Sequence, residues 1–511
     1  MKVERIRCLS RFAWAIIATL VAGSSAYADQ TVGGVNWLDP LSYQKPAFVP
    51  ITIPTIVTNY YIDLTSGSDS GTCGTGTGNP CKTLRGLVDR SLSGLRGNTS
   101  DGAAAVNIRG AGSGAWYIFN NTFAGTPGKE ILIRPWGTAV VTFSRGGQNQ
   151  GLNSGPAVHD IIIDGGDPAT GNMLFKFVAD YAACGGPCFV SNFGGNNITV
   201  SRSQFTATSA TGSGWVYLVA VCGENGLTCS NVKFINNEFY DCKTGSNQCS
   251  SIYTGPCDAN GGCAVNNVLI QNNVIRNMGG EGMEINPRIA STGVTITGNA
   301  IHNVGYGTCN DGGTRSCRPG IVLNINQSGA VNDVVITNNL MWDLSSGCIW
   351  EKSGANGTHA PKIYNNACYD YGKGTVTNGE PQGIESAGMG SVAFIQDNIL
   401  YAPNGTNPYG ASMNPQVSSN NLCGSGKSCG SSPKTWSAAT VIATAQTDAN
   451  FMKIAASSEA FGGGTNMFAA GVTVDYAGLS RTSFGAFDIG AFRVPASGAA
   501  PTAPTNLRIV P

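Results

Sequence analysis

The sequence predicts an all-β solenoid, a parallel β-helix, built as one long domain. An Asn-containing segment recurs along the chain, and each copy alternates β-branched and polar residues as strands do. Glycine accounts for 70 of the 511 residues and only 12% are charged, which indicates many turns and few exposed helices. Units of one strand, a turn and a second strand cannot each bury a core alone, whereas stacked units can.

The repeat places Asn at the second turn position in six copies: Asn237, Asn273, Asn299, Asn339, Asn366 and Asn398. The intervals are 36, 26, 40, 27 and 32 residues, so a core coil carries insertions of variable length. Asn tolerates left-handed backbone, and Asn residues stacked at one corner predict a hydrogen-bonded ladder. An antiparallel sandwich would not need the same residue at each corner, and a propeller would need four strands per blade.

Residues 1–28 predict a cleaved secretory leader. Lys2, Arg5 and Arg7 precede an apolar stretch at 12–22, and Ala-Tyr-Ala at 26–28 suits a signal peptidase. The apolar stretch is shorter than the roughly 20 residues of a membrane-spanning helix. We therefore expect no membrane association after cleavage, and export by a Gram-negative bacterium to the periplasm or the medium.

The sixteen cysteines beyond the leader form near neighbours in the sequence. An even count in an exported chain indicates disulfides, and the spacing of zinc ribbons is absent. The predicted pairs are Cys73/Cys81, Cys184/Cys188, Cys222/Cys229, Cys242/Cys249, Cys257/Cys263, Cys309/Cys317, Cys348/Cys368 and Cys423/Cys429.

Charge argues against a nucleic-acid partner. Lys and Arg number 30 and so do Asp and Glu; removing residues 1–28 takes away four basic residues and one acidic residue, which leaves a net charge of −3. Nucleic-acid binders usually have a basic surplus.

Both ends of the solenoid carry a resemblance to a known family. YYIDLTSGSDSG at 60–71 and NPCKTLRGLVD at 79–89 resemble the opening strand and capping helix of secreted bacterial proteins of the pectate-lyase-like superfamily, and DYAGLSR at 475–481 with FDIGAF at 487–492 resembles their closing segment. The resemblance implies a right-handed, single-stranded parallel β-helix with an N-terminal capping helix. The chain then divides into a signal peptide (1–28), a leader segment (29–57), the β-helix domain (58–494) and a flexible Pro/Ala-rich tail (495–511).

The second strand of each coil supplies the candidate site. Strand alternation predicts outward side chains at its polar positions, with Trp350 inward and Glu351 outward. Coils stack about 4.8 Å apart, so outward residues one coil apart are neighbours. The expected patch contains Glu284, Asn286, Asn324, Glu351, Lys352 and Glu385, and Arg288 and Asn326 are expected to point outward from the same segments.

This patch fits cleavage of a uronate-containing polysaccharide by β-elimination. The charge that develops on the uronate carboxylate must be neutralised, by Ca²⁺ or by Arg and Lys. Carboxylate and amide oxygens are the ligands that Ca²⁺ prefers. The predicted roles are Glu284, Asn286 and Asn324 as metal ligands, Lys352 as base, Arg288 holding the uronate carboxylate, and Asn326 with Arg318 binding substrate.

The patch faintly resembles the chondroitin/alginate lyase family, which takes Asn and Glu metal ligands from adjacent coils with a Lys and an Arg nearby. In this chain Glu281 and Glu284 are three positions apart rather than two. The Arg-Pro-rich motif of the main pectate lyases and the motifs of polygalacturonases are absent.

Other functions fit the same sequence. A glycoside hydrolase would use paired carboxylates, either Glu351 with Glu385 on adjacent coils or Glu284 with Glu351 two coils apart. An epimerase would share the first proton transfer of a lyase. The non-enzyme alternative is a solenoid that binds carbohydrate or serves in adhesion without catalysing a reaction. In each case we expect a monomer with a polysaccharide partner.

Overall fold

The computed structural model describes residues 31–32, 35–36, 46–88, 95, 102–113, 118–119, 123–144, 153–154, 158–167, 170, 172–180, 188–208, 216–222, 228–242, 249–255, 263–287, 290–305, 318–325, 331–353, 360–374, 381–386, 393–410 and 417–495. The predicted signal peptide and residues 496–511 of the predicted tail lie outside these ranges.

The described strands form three parallel sheets that the chain visits in turn, which confirms the parallel β-helix. Sheet 1 contains Ile56–Asp63, Ala103–Arg109, Ile131–Pro135, His159–Asp164, Asn196–Ser201, Thr228–Ser230, Val232–Ile235, Ala264–Gln271, Ser291–Thr297, Val331–Thr337, Lys362–Tyr364, Phe394–Gln396 and Val417–Ser419. Sheet 2 contains Ala111–Ser113, Val141–Ser144, Phe175–Asp180, Ser203–Thr208, Glu238–Cys242, Val274–Met278, Ala300–Val304, Leu340–Leu344, Ala367–Tyr369, Ile399–Tyr401, Leu422–Cys423 and Lys434–Thr435. Sheet 3 contains Ile118–Phe119, Asn153–Ser154, Cys188–Phe193, Val216–Val221, Cys249–Thr254, Met283–Ile285, Ile321–Ile325, Ile349–Ser353 and Ile384–Ser386.

Four short elements of the described residues lie outside these sheets. Thr31–Val32 and Val35–Asn36 form an antiparallel pair, and a 3₁₀ turn spans Phe468–Ala470. The helix Leu84–Val88 lies within the predicted capping segment, and it buries Leu84, Leu87 and Val88 in the main core. Its role as an N-terminal cap stays a prediction.

Equivalent residues of successive coils stack inside the solenoid. The rings of Phe143, Phe177, Phe205 and Phe239 lie nearly parallel, with centroids 4.6, 4.8 and 4.9 Å apart from one pair to the next. They occupy one register position on neighbouring strands of sheet 2. One continuous core therefore forms along the axis, as the repeats predict.

The corner between sheets 1 and 2 holds the predicted Asn ladder. Each Asn side chain donates from Nδ2 to the Oδ1 of the Asn in the next coil, over 2.9–3.1 Å. The same Oδ1 accepts the backbone N–H of the preceding Asn. The ladder is fully buried and continues one coil beyond the predicted set, as Asn237, Asn273, Asn299, Asn339, Asn366, Asn398 and Asn421.

Four of the residues that precede a ladder Asn bind the segment before the first coil or the C-terminal segment. Asn236 and Asn272 have left-handed backbone (φ of 58° and 54°), and their amides donate to the carbonyls of Val49 and Ala47. Ala47 in turn donates its N–H to the carbonyl of Tyr476. Further along this corner, Asn338 and Asn365 donate to the carbonyls of Val474 and Asp488.

The C-terminal segment packs on the outer face of sheet 2. Phe451, Ile454 and Ile489 belong to an apolar cluster that includes the outward residues Leu340 and Trp342. In the leader segment at 29–57, Ile51 and Ile56 pack against Ala105, Leu132 and Ile162 of sheet 1. The apolar clusters that these segments build thus lie on sheets 1 and 2.

Five of the predicted disulfides are present: Cys73–Cys81, Cys222–Cys229, Cys242–Cys249, Cys348–Cys368 and Cys423–Cys429. Each of the other three predicted pairs includes a cysteine outside the described ranges. Within the described part, the one group of three Asp, Glu, His or Cys side chains close enough to share a metal is Asp69 with Cys73 and Cys81, and those two cysteines are bonded to each other. Five disulfides fit an extracellular protein. Among the described residues, no helix has the length and apolar character to cross a membrane.

Candidate functional site

Strand register defines the outer face of sheet 3. Glu284 pairs with Val322, Val322 with Trp350, and Trp350 with Glu385. One residue further along, Leu323 pairs with Glu351. Because side chains alternate between faces, Glu284, Val322, Trp350 and Glu385 form one outer row, whereas Glu351 lies in the row of the core residue Leu323.

The predicted orientations of Trp350 and Glu351 are therefore wrong. Trp350 lies on the outer face and is partly exposed, and Glu351 lies on the inner face, 4% exposed. The expected pairing of Glu351 with Glu385 or Glu284 fails because opposite faces of a sheet separate them. Glu385 shares the row of Glu284 but lies three strands away, about 14 Å at 4.8 Å per strand.

Three predicted site residues meet around one carboxyl oxygen. The Oε1 of Glu284 accepts hydrogen bonds from Nδ2 of Asn324 at 2.7 Å and from Nδ2 of Asn286 at 3.3 Å. Nδ2 of Asn286 also lies 2.6 Å from the hydroxyl of Tyr253, the residue that pairs with Glu284 in the preceding strand. The structure thus brings Glu284, Asn286 and Asn324 together; their role stays a prediction.

A second carboxyl group and an arginine complete the cluster. Glu281 is hydrogen-bonded to Glu284, and its Oε2 lies 3.7 Å from Nε of Arg318. The glycine at 282 permits this contact, since a Cβ there would lie 2.3 Å from the carbonyl oxygen of Gly320. The chain segments around Gly282 and Gly320 therefore pass close to each other, which places Arg318 beside Glu281. Predicted here as a substrate-binding residue, Arg318 is buried at 6% exposure.

The two carboxyl groups have pKa values shifted in opposite directions. Burial raises the pKa of Glu284 to about 8, reinforced by the charge of Glu281 and only partly offset by Arg318 and Asn324. Burial alone would raise the pKa of Glu281 as well, but the Arg318 guanidinium and hydrogen bonds, including that with Glu284, lower it. At neutral pH the pair therefore holds one proton on Glu284, next to an ionised Glu281 balanced by Arg318.

Two tyrosines form the wall of the cluster. The rings of Tyr217 and Tyr253 stack with centroids 4.1 Å apart. Burial and then the charge of Glu284 raise the pKa of Tyr217 well above its ordinary value, so its hydroxyl keeps its proton. Both rings hold the cluster away from water, which strengthens its electrostatic interactions.

Sequence reasoning did not select Glu281, Tyr217 or Tyr253 as site residues. Tyr253 could have been found, because Ile252 before it is a core residue and alternation then places Tyr253 outside. Among the other predicted residues, Lys352 pairs with Asn324 in the adjacent strand. Arg288 and Asn326 lie outside the described residues.

The cluster has the donor set for a hard divalent cation. Glu281 and Glu284 supply carboxylate oxygens, and Oδ1 of Asn324 is buried without a hydrogen-bond partner among the described residues. Oxygen donors of this kind suit Ca²⁺. The shared proton and the cation would compete for the same carboxyl oxygens, since a metal ligand must be deprotonated.

Comparison with known proteins finds solved structures with a similar fold. No protein-family model and no curated protein matches the sequence. Among solved structures, pectate lyase Pel9A is similar, with 13% identity, coverage of 86% of this chain and 97% of that chain, and a TM-score of 0.52. The fold is that of a pectate lyase-like parallel β-helix. The resemblance seen in the sequence is thereby confirmed for the fold.

Two other solved structures match with lower scores. A rhamnogalacturonan lyase has 14% identity, covers 79% of this chain and 98% of that chain, and has a TM-score of 0.42. The GH136 lacto-N-biosidase from Eubacterium ramulus has 11% identity, covers 74% of this chain and 68% of that chain, and has a TM-score of 0.36.

Proposed function

We propose that this protein is a secreted polysaccharide lyase that cleaves an acidic, uronate-containing glycan by β-elimination on the outer face of sheet 3. The observation that carries the proposal is the Glu281–Glu284 pair, which keeps a proton at neutral pH beside Arg318. The similarity of the fold to pectate lyase Pel9A supports it. The hydrolase alternative loses support because its predicted carboxyl pairs lie on opposite faces of the sheet.

The reaction requires a base, a partner for developing negative charge, and a proton for the leaving oxygen. The base removes the proton α to the uronate carboxylate, and the C–H electrons form a carbon–carbon double bond. The bond to the glycosidic oxygen breaks, and that oxygen takes up a proton. Meanwhile charge accumulates on the uronate carboxylate, where hydrogen-bond donors and cations stabilise it most.

Glu284 and Arg318 are suited to that charge. A carboxylic acid kept neutral by burial can donate a hydrogen bond to a developing oxyanion at pH 7. Glu284 is such an acid, and Arg318 supplies positive charge beside it. Arg288, four residues beyond Glu284, is proposed to hold the uronate carboxylate.

Lys352 is the proposed base. It occupies the strand position next to Asn324, two residues beyond Trp350 of the outer row. A lysine near other cations loses its proton more readily, which makes it competent to accept a proton from carbon.

Calcium is a proposed cofactor of the same cluster. Glu281, Glu284, Asn286 and Asn324 would hold it. When bound, it would replace the proton of Glu284 and, in place of that hydrogen bond, supply the positive charge that neutralises the uronate carboxylate.

Cleavage assays on a panel of polyuronates test the proposal. We expect the wild-type protein to raise the ultraviolet absorbance of the unsaturated product. Glu284→Gln should lower kcat about 10²–10³-fold, because an amide is a weaker donor than a carboxylic acid and cannot give up its proton; the size is that of a lost oxyanion donor. Glu238→Gln is the matched control, because Glu238 is an equally buried glutamate on sheet 2. It should keep full turnover.

Other outcomes would contradict the proposal in distinguishable ways. New reducing ends without absorbance would indicate a hydrolase, and an altered uronate without cleavage an epimerase. Retention on a glycan without any reaction would indicate a binding protein. Full activity of Glu284→Gln would leave a lyase possible but place its chemistry elsewhere.

A further inference from the structure

The outer row of sheet 3 continues beyond Glu385. Ile384 forms a bridge with Tyr409, and Gly410 donates its N–H to the carbonyl of Ile384 at 3.1 Å. Gly410 therefore lies next to Glu385 in the row. The Glu385 side chain lies against this glycine, because a Cβ at position 410 would be 2.8 Å from Cδ of Glu385.

A surface depression of about 360 Å³ lies at this end of the row, lined by Asn407, Pro408, Tyr409, Gly410 and Ser428. Its base is held rigidly, since the Tyr409 hydroxyl is bonded to Ser418 at 2.7 Å and to Asn421 at 3.0 Å. At its rim, partly exposed Lys427 donates from Nζ to Oδ1 of Asn407 at 2.9 Å. The depression thus combines a preformed floor with a positive charge and an amide.

Trp350 connects this depression to the Glu284 cluster. Its partly exposed indole lies in the outer row between Val322 and Glu385. An aromatic ring in that position gives an apolar surface on which the face of a sugar ring can pack. From Glu284 to Gly410 there are four strand steps, about 19 Å at 4.8 Å per strand, a distance that a short oligosaccharide spans.

We propose a distal subsite for an acidic sugar in this depression, with Trp350 as a stacking platform on the way to it. Lys427 binds the uronate carboxylate and Asn407 a neighbouring hydroxyl. The glycan then lies along the solenoid axis, with several sugar units between this subsite and the cleaved bond. The inference rests on the proposed function in taking the glycan to be acidic.

The test is binding of the full-length protein to polygalacturonate, alginate and heavily methyl-esterified pectin, measured by affinity electrophoresis. Glu284→Gln serves as the background so that the glycans stay intact. Lys427→Ala and Trp350→Ala are compared in it with Lys453→Ala, which removes a lysine that is likewise partly exposed and hydrogen-bonded to a nearby Asn. Melting temperatures verify that each variant is folded.

We expect Lys427→Ala to weaken binding of the polyuronates, polygalacturonate and alginate, about threefold or more, which is the scale of an exposed ion pair. Binding of the esterified pectin should be unchanged. Trp350→Ala should weaken binding of the polyuronates and of the esterified pectin, and Lys453→Ala should weaken neither. Equal behaviour of Lys427→Ala and Lys453→Ala on every polymer would overturn the subsite, as would a complete lack of binding. Selective loss with Lys427→Ala in a protein that cleaves nothing would retain the subsite and reject the lyase.

Discussion

Two regions of buried polar side chains in this solenoid, the Asn ladder and the Glu281–Glu284 cluster, differ in how completely their hydrogen bonds are satisfied. In the Asn ladder each amide from Asn237 to Asn398 donates to the Asn of the next coil, and each from Asn273 to Asn421 accepts from the Asn of the previous one. In the Glu281–Glu284 cluster two carboxyl groups face each other, and one must keep a proton to remain there. Buried polar groups whose hydrogen bonds are all satisfied stabilise a fold. Groups with strongly shifted pKa values, in contrast, concentrate at functional sites.

The difference follows from the side chains themselves. An amide has both donors and acceptors, so identical amides can stack without limit. Ionised carboxylates only accept, so two of them in contact require a proton or a cation between them. The corner built from Asn therefore repeats over seven coils, while the acidic cluster occurs once among the described residues.

The largest expected effect concerns Lys352. If it is the base, Lys352→Ala should lower kcat about 10²–10⁴-fold while the melting temperature stays unchanged. Lys362→Ala, which removes a lysine of sheet 1, should have no effect on turnover. Steady-state kinetics on the cleaved polyuronate check this, and equal rates for the two variants would exclude Lys352 from the chemistry.

A substitution in the Asn ladder should lower stability and leave turnover unchanged. Asn339→Ala leaves the buried backbone and side-chain donors of Asn299 without their acceptor, so we expect a loss of about 3 kcal/mol in the free energy of unfolding. Turnover per folded molecule should be unchanged. Urea unfolding measures this, with Asn332→Ala as an exposed control in the strand that precedes Asn339. Equal stability of both variants would remove the ladder from the account of the fold.

Calcium binding should depend on pH because the cation displaces the proton of Glu284. Below pH 8 the apparent affinity should rise about tenfold per pH unit, with release of one proton, and level off above it. Calorimetry in buffers of different ionisation enthalpy measures both quantities. The same affinity at pH 6 and pH 8 would show that calcium, if it binds, does so elsewhere.

Stability should show a smaller pH effect. The pKa of Glu284 is raised from its ordinary value of 4.5 to about 8, so the folded protein holds a proton that the unfolded chain has lost between these values. Stability therefore falls as pH rises from about 4.5 to 8. Glu284→Gln should reduce this slope, leaving the contribution of Asp397, whose pKa burial raises to about 7. An unchanged slope would contradict the shifted pKa of Glu284.

The sequence was a better guide to the ladder than to the cluster, for a physical reason. Asn at a corner has one structural solution that each coil repeats, so spacing alone predicted it. In strand Ile349–Ser353 the pattern misled, because Glu351 lies inward against the usual preference and a shift of one residue exchanges the two faces. Glu281 and Arg318 meet across connections of irregular length, which no periodicity encodes.

The most direct test of the account is a carbon-NMR titration of the glutamate side-chain carboxyl groups in the wild-type protein and Glu284→Gln. We predict one carboxyl resonance that titrates near pH 8 in the wild type and is absent from the variant. A Glu284 resonance that titrates near its ordinary value of 4.5 would contradict the shared proton on which the proposed chemistry depends.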